Sequence, residues 1–417
     1  MSVVPDTYER IELASPETIR GFDLRRLPDA FYENPFPFYH RMRRDTPVRR
    51  MPDGSILLTR HADLDRIYRD TKTFSSDKKI EFKPKFGDSL LYEHHTTSLV
   101  FSDPPLHTRV RRAIVGALAP RALKPLEPQV ERIVDSLIAD IEPGSEFDAV
   151  EQFAIHLPIE IISDLLCVPR NEREPLRGWS LAILGALEPE IPKEKFEWGN
   201  RAVEEFLVYL KELVARRRAE MTPSDDDILS RLIRDVDAED GLMHEELLHS
   251  CIFILNAGHE TTTNLIASGV NMLCDMPETT AMLNDDPSLW PVAIEEILRL
   301  ESPNQLGNRR AVEAFEIDGE RFDAGTQITL CIGAANRDPA VFENPDSFRL
   351  DRGRFTHFAF AGGPHLCAGM TVARIEGRIA LSKIFSAFPH LRRTRPAVRS
   401  RRARFRGFDH LPMRALA

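Results

Sequence analysis

One cysteine in this chain stands where a reactive thiolate is expected. Cys367 lies in Phe360-Ala361-Gly362-Gly363-Pro364-His365-Leu366-Cys367-Ala368-Gly369, followed at once by a helix-like run from Ala368 to Phe385. The glycines let the backbone approach something large and flat. The free N–H groups and positive end of the helix stabilise an anionic sulfur, so the loop suits a thiolate held against a metal. A second constellation is Ala257-Gly258-His259-Glu260-Thr261-Thr262, where polar residues interrupt an apolar helix. Glycine inside a helix costs about 1 kcal/mol relative to alanine. A threonine hydroxyl can bond the carbonyl one turn back and distort the ladder. Together they make a groove for a small molecule, with the acid Glu260 beside the alcohol Thr261 to relay protons.

Two further segments carry charge at helical spacing. His107 and Arg111 follow Pro104-Pro105 and share one face of the helix that the prolines open. Two cationic donors on one face suit a pair of carboxylates. Glu296 and Arg299 are one turn apart in Glu295-Glu296-Ile297-Leu298-Arg299. On an exposed helix such a pair contributes only about 0.2–0.5 kcal/mol.

The elements that must position these residues are mostly helices. Asn34-Pro35-Phe36-Pro37 opens a helix through Arg43. Apolar residues at helical period predict helices over 126–141 and 202–218, the second ending in Arg216-Arg217-Arg218. Residues 244–274 hold no proline and are long enough to run roughly 45 Å, across a whole domain. Gly54 to Thr59 reads as a short strand, residues 315–322 as a hairpin turning at Asp318-Gly319, and residues 327–332 as a further strand. The fold class is therefore mainly α with small β-sheets, in a single domain over 1–417 whose first 25 residues are loosely ordered.

Taken in order, these segments resemble the cytochrome P-450 family of haem-thiolate monooxygenases, soluble bacterial type, over residues 103–369. Phe360, Gly363, His365, Cys367 and Gly369 match the family's haem-binding loop one by one; Ala361 departs from it where glycine is usual. The resemblance implies the cytochrome P-450 fold, with haem b between the long oxygen-binding helix and the Cys-loop helix and Cys367 as axial ligand. It implies that Thr261 holds dioxygen and that Glu260 belongs to the proton route. It implies that His107, Arg111, Arg309 and His365 bind the haem propionates, and that Glu296 and Arg299 are buried and hold the fold around the haem. The arginine that often completes that pair is replaced by Ser347, with Arg349 and Arg352 as substitutes. Family position also suggests that Tyr92, Leu99, Phe253, Asn256, Ala257, Asn304 and Phe405 line the substrate cavity. Asn256 and Asn304 are unusual there, because a buried amide is costly unless paired. They suggest a largely apolar substrate with a polar handle.

Bulk properties agree. The chain has 417 residues, 42% hydrophobic and 29% charged, as in globular proteins, and its formal charge of -10 argues against a nucleic-acid partner. Eight arginines between Leu391 and Gly407 then read as a solvated edge. Five cysteines without a C-x-x-C pair exclude zinc-knuckle and thioredoxin-type motifs and fit a reducing compartment. Residues 1–26 hold no signal or anchor segment, so a cytoplasmic protein without membrane attachment is expected. The implied reaction inserts one oxygen atom of O2 into a small organic substrate. No dinucleotide-binding G-x-G-x-x-G is fused to the chain, so electrons must come from a separate partner. The resemblance implies a ferredoxin with its reductase, docking near Arg109 and Arg112 on a monomeric enzyme. The alternatives are a peroxide-driven or otherwise non-hydroxylating haem-thiolate enzyme on the same fold, and a non-catalytic haem-binding sensor.

Overall fold

The computed structural model of the chain describes residues 13–118, 123, 126–225 and 227–416. Its axis is the helix His244–Leu273, 30 residues long and buried around most of its circumference. A helix apolar on all sides belongs at a protein's centre. Its first turn is fixed by Glu246, whose carboxylate accepts the Met243 N–H at 3.0 Å and also pairs with Arg109. The helix Met370–Ala387 packs against it, as does Trp290–Leu300, and their apolar faces share one core with Leu126–Ala139. A second core joins the central helix to His156–Leu165, Leu176–Gly185 and Lys193–Glu220. Lys193–Glu220 carries Glu194 in its first turn and Arg217 and Arg218 in its last, the charge order that its dipole favours.

The largest sheet has five strands in the spatial order Val48–Arg50, Ile56–Leu58, Gln327–Cys331, Leu306–Ala311 and Phe74–Ser75. Ile56–Leu58 runs parallel to Gln327–Cys331; the other pairings are antiparallel. The strand Leu306–Ala311 brings Arg309 to the central cavity. The expected hairpin is present, Phe315–Ile317 pairing with Glu320–Phe322. Asp318 and Gly319 both take positive φ, 57° and 74°, as a tight two-residue turn requires.

Three expectations need correction. Residues 1–12 lie outside the described residues, but 13–25 are not loosely ordered. Ser15 caps the helix Pro16–Arg20, and the buried Phe22 packs 5.6 Å from Phe31 and 6.3 Å from Phe38. The arginines between Leu391 and Gly407 are not a uniformly solvated edge. Arg399 and Arg406 reach Glu301 at 3.2 and 2.8 Å, Arg402 pairs with Glu260, and Arg404 donates to the Leu306 carbonyl at 2.8 Å. Although burial opposes it, Arg406, Arg399 and Arg337 hold the Glu301 carboxyl down to about 2. Arg109 is not a free docking cation either. It is committed to the buried Glu246, and Arg112 donates to the Asp240 carbonyl at 2.7 Å.

Candidate active site

The cores meet at a cavity of about 330 Å³. Phe253, Asn256, Ala257, Gly258 and Thr261 of the central helix form one wall, and Phe360, His365, Cys367 and Gly369 of the Cys loop form another. The two motifs that bear chemistry therefore face the same space.

The Cys loop is built by local constraints. Asn336 accepts the Phe358 N–H at 2.7 Å, and the Cys367 N–H returns to the Phe360 carbonyl at 2.9 Å, closing the loop. Gly363 has φ +62°, and a Cβ there would strike the Tyr68 carbonyl oxygen, so glycine is required twice over. Arg374 lies 4.7 Å from the centre of the Phe360 ring and pairs with Glu295 at 2.7 Å; Glu295 also meets His357 at 3.1 Å. Against its burial, Arg374 and His357 hold the Glu295 carboxyl down to about 2. Glu295 and Glu296 thus hold different parts of the fold from adjacent positions of one helix.

Ala361 has φ +58° and ψ -155°, a region that glycine tolerates and other residues enter at a cost of roughly 1–3 kcal/mol. The departure from the family loop is therefore stored as backbone strain. Ala361→Gly is expected to raise stability by about 1 kcal/mol, after the added freedom of the unfolded chain is subtracted. Thermal unfolding of the two proteins measures it.

The Cys367 side chain is exposed, and the surface it exposes is cavity wall. Burial among protein atoms pushes its thiol up, opposed by the Gly369 N–H, Arg111 and Arg374. Arg111, Arg309 and His365 line the same space. His107 does not, but its ring packs 4.1 Å from that of His365, and its Nε2 is buried without a partner. Arg309 is buried and lies 5.2 Å from the Tyr68 ring, with Nε and one terminal nitrogen unpartnered. Buried donors without a protein acceptor, a guanidinium above all, are costly unless an acceptor group completes them. A cavity with a cysteine sulfur in its wall and orphaned donors near it fits haem and its two propionates.

On the opposite wall, Thr261 Oγ1 donates to the Ala257 carbonyl at 2.7 Å, the back-bond anticipated for it. Gly258 leaves room where a Cβ would press on Ile162 at 3.1 Å. Glu260 does not line the cavity. Its carboxylate is ion-paired with Arg402, and its other oxygen is buried without a partner. The acid and the alcohol are neighbours in sequence that face different surroundings.

Leu99, Phe253, Asn256, Ala257, Asn304 and Phe405 line the cavity. Both polar side-chain atoms of Asn256 and the Oδ1 of Asn304 are buried without a partner. Tyr92 does not line it. Its ring lies 5.1 Å from the Lys83 ammonium, and its hydroxyl donates to the Lys79 carbonyl at 3.4 Å. The helix Leu90–Thr97 instead turns His94 and His95 to the cavity. His94, His95, Leu184, Arg404 and Glu376 were not anticipated by the sequence. The adjacent histidines were its only signal, and an adjacent pair does not say which face of a short helix turns inward.

Glu376, on Met370–Ala387, is buried at the cavity beside Thr262, and burial pushes its carboxyl up to about 8. Below about pH 4.5 it is protonated in both the folded and unfolded chain. Between there and pH 8 only the unfolded chain releases the proton, so stability is lost as pH rises, with no further loss above. Glu376→Gln keeps the neutral shape and does not titrate. Relative to the parent it is expected to gain on the order of 3 kcal/mol between pH 5 and pH 8.5, read from denaturant midpoints at the two pH values.

With this geometry in hand, comparison places the chain among known proteins. A family model described as Cytochrome P450 matches residues 186–286 and 289–401. Cytochrome P450 107B1 of Saccharopolyspora erythraea is 35% identical, over 94% of this chain and 98% of its own. The vitamin D(3) 25-hydroxylase of Pseudonocardia autotrophica is 35% identical, over 87% of this chain and 88% of its own. Among solved structures, P450BioI in complex with an acyl carrier protein ligated to hexadec-9Z-enoic acid superposes with a TM-score of 0.87 at 29% identity. That likeness covers 93% of this chain and all of the neighbour's. CYP109E1 from Bacillus megaterium in complex with testosterone gives 0.84 at 29% identity, over 94% of this chain and 100% of its own.

Proposed function

The chain belongs to the cytochrome P450 family, and on that premise we propose that it is a monooxygenase for a largely apolar small molecule with a polar handle, with Cys367 as the haem ligand. The reading takes 1–417 as one haem domain. The observation that carries it is one cavity whose wall holds the Cys367 sulfur, Thr261 and the partly unpartnered guanidinium of Arg309, with the unpartnered His107 behind His365.

Bound haem supplies the oxygen-activating chemistry, because the thiolate of this family pushes electron density toward the iron. The chain's own residues do the rest. The Gly369 N–H, Arg111 and Arg374 favour the Cys367 thiolate. Arg111, Arg309, His107 and His365 hold the propionates. Thr261, with its proton committed to Ala257, presents its oxygen to the cavity as an acceptor. Glu260, behind it and tied to Arg402, belongs to the proton supply from outside. Glu376 keeps a proton near Thr262 at neutral pH. Leu99, Phe253 and Phe405 exclude water and supply the apolar surface, while Asn256 and Asn304 offer unpaired amide atoms to the handle.

Two relatives are named as hydroxylases, of vitamin D(3) and of 6-deoxyerythronolide B, which supports hydroxylation of a small organic substrate. No helix among the described residues is long and apolar enough to cross a membrane. The electron donor is proposed to be a ferredoxin, docking elsewhere than on Arg109, and the enzyme a cytoplasmic monomer. The test has two parts. The reduced protein with carbon monoxide should give a strongly red-shifted Soret band. Turnover under isotopically heavy O2 with a reduced ferredoxin should place one heavy atom in the product. A normal band, or activity with peroxide but none with a reduced ferredoxin, overturns the reading.

A further inference from the structure

Running outward from the cavity is a line of three side chains that the proposed reaction does not use. His94 lines the cavity and is 3% exposed. Its Nδ1 is 3.4 Å from Nδ1 of His249, which is 2% exposed and lies outside the cavity lining. His249 Nε2 is in turn 3.3 Å from Glu93 Oε1, and the Glu93 side chain is 52% exposed. The line thus runs from solvent through two buried imidazoles to the pocket.

Its hydrogen-bond directions follow from what each atom can do. An ionised carboxylate only accepts, so the proton of that contact sits on His249 Nε2. Burial keeps both imidazoles neutral, so each ring has one N–H. His249 Nδ1 is then a bare acceptor, and the proton between the rings belongs to His94 Nδ1. The remaining polar atom of His94, Nε2, is left with a lone pair, on a residue that lines the cavity. The orientation of one ring fixes the tautomer of the next.

Position along the central helix adds a length. His249, Phe253 and Asn256 recur at helical spacing on one face, and Thr261 follows. From His249 to Thr261 the helix rises roughly 18 Å, so the ring that His94 pairs with stands about three helical turns from the oxygen-handling residue.

We propose that the Glu93–His249–His94 relay makes the far wall of the pocket a hydrogen-bond acceptor, and that the substrate is a long, largely apolar molecule carrying a hydroxyl or N–H donor at the end remote from the carbon that is oxidised. This rests on the cavity being the substrate pocket. It specifies the polar handle as a donor and places it away from the reacting end.

The test uses the haem-loaded protein and three probes of one length: dodecanol, dodecanal and undecyl methyl ether. Isothermal calorimetry should show dodecanol binding about tenfold more tightly than the other two, the effect of one buried hydrogen bond. His94→Phe should bring the three affinities together while leaving the spectrum of the reduced, carbon monoxide-treated protein unchanged. Nitrogen-15 spectra of histidine-labelled parent protein give a second measurement that needs no variant. His94 should be in the Nδ1–H form and His249 in the Nε2–H form. Equal affinities in the parent, a preference for dodecanal, or the opposite tautomers would overturn the proposal and leave the pocket reading intact. No binding by any of the three would overturn the pocket reading and this proposal with it.

Discussion

Cys367→Ser is expected to abolish the red-shifted Soret band of the reduced, carbon monoxide-treated protein and to lower turnover by about 10³-fold or more, a barrier increase of about 4 kcal/mol. The polypeptide should keep its far-ultraviolet circular dichroism. The Cys367 side chain is cavity wall and packs little, and the bond that closes its loop comes from the Cys367 backbone N–H. Serine preserves that bond and nearly the same shape. What it removes is an ionisable sulfur, since a hydroxyl keeps its proton at any pH the protein survives. The other cysteines cannot take over. Burial pushes the thiols of Cys167, Cys251, Cys274 and Cys331 up to about 12, and none of them lines the cavity. Retention of the red-shifted band in the serine variant would mean that Cys367 is not the ligand.

The Cys loop was legible in the sequence because its constraints are local. A cysteine, a helix start and glycines at fixed offsets lie within ten residues, and each has its own physical reason. The long central helix was legible for a similar reason, as an apolar run with no proline. Features that depend on distant partners were not. Ser347 left Arg349 and Arg352 as equal substitutes. The structure separates them, because Arg349 offers Glu296 its backbone N–H at 3.0 Å and turns its side chain to Glu343 and Asp351. Arg352 places its Nε 2.9 Å from Glu296. The arginines after Leu391 read as solvated because Glu301 and Glu260, which meet three of them, lie about a hundred residues earlier or more. Tyr92 was misplaced for another reason. Leu90–Thr97 mixes apolar and polar residues around its whole circumference, so no pattern marks its inner face, and packing of His94 and His95 against neighbouring elements decides it.

The largest effect on folding is expected from the pair that looked weakest on paper. Glu296 and Arg299 have side chains 0% exposed, with Arg299 Nε 2.6 Å from Glu296 Oε1. The guanidinium uses every N–H it has. Nε and one terminal nitrogen meet both oxygens of Glu296, and the remaining donors reach the carbonyls of Asn336, Pro345 and Ser347 at 3.0, 2.6 and 3.0 Å. Those three carbonyls belong to the stretch leading into the Cys loop, and Asn336 itself holds Phe358. Arg299→Ala leaves Glu296 buried with only Arg352 to balance it and orphans the three carbonyls. Removing one partner of a buried pair costs about 3–5 kcal/mol, a large share of the 5–15 kcal/mol that a folded protein has in total. Much of the variant should therefore be recovered without haem, with a denaturant midpoint shifted accordingly. Arg352→Ala should cost less, because Arg299 remains on both oxygens of Glu296. The Glu296→Ala/Arg299→Ala double variant should cost less than the sum of the single variants by about 2 kcal/mol, since neither charge is then left alone. Strict additivity across that cycle would show that the two side chains contribute separately and that the pair does not anchor the loop as a unit.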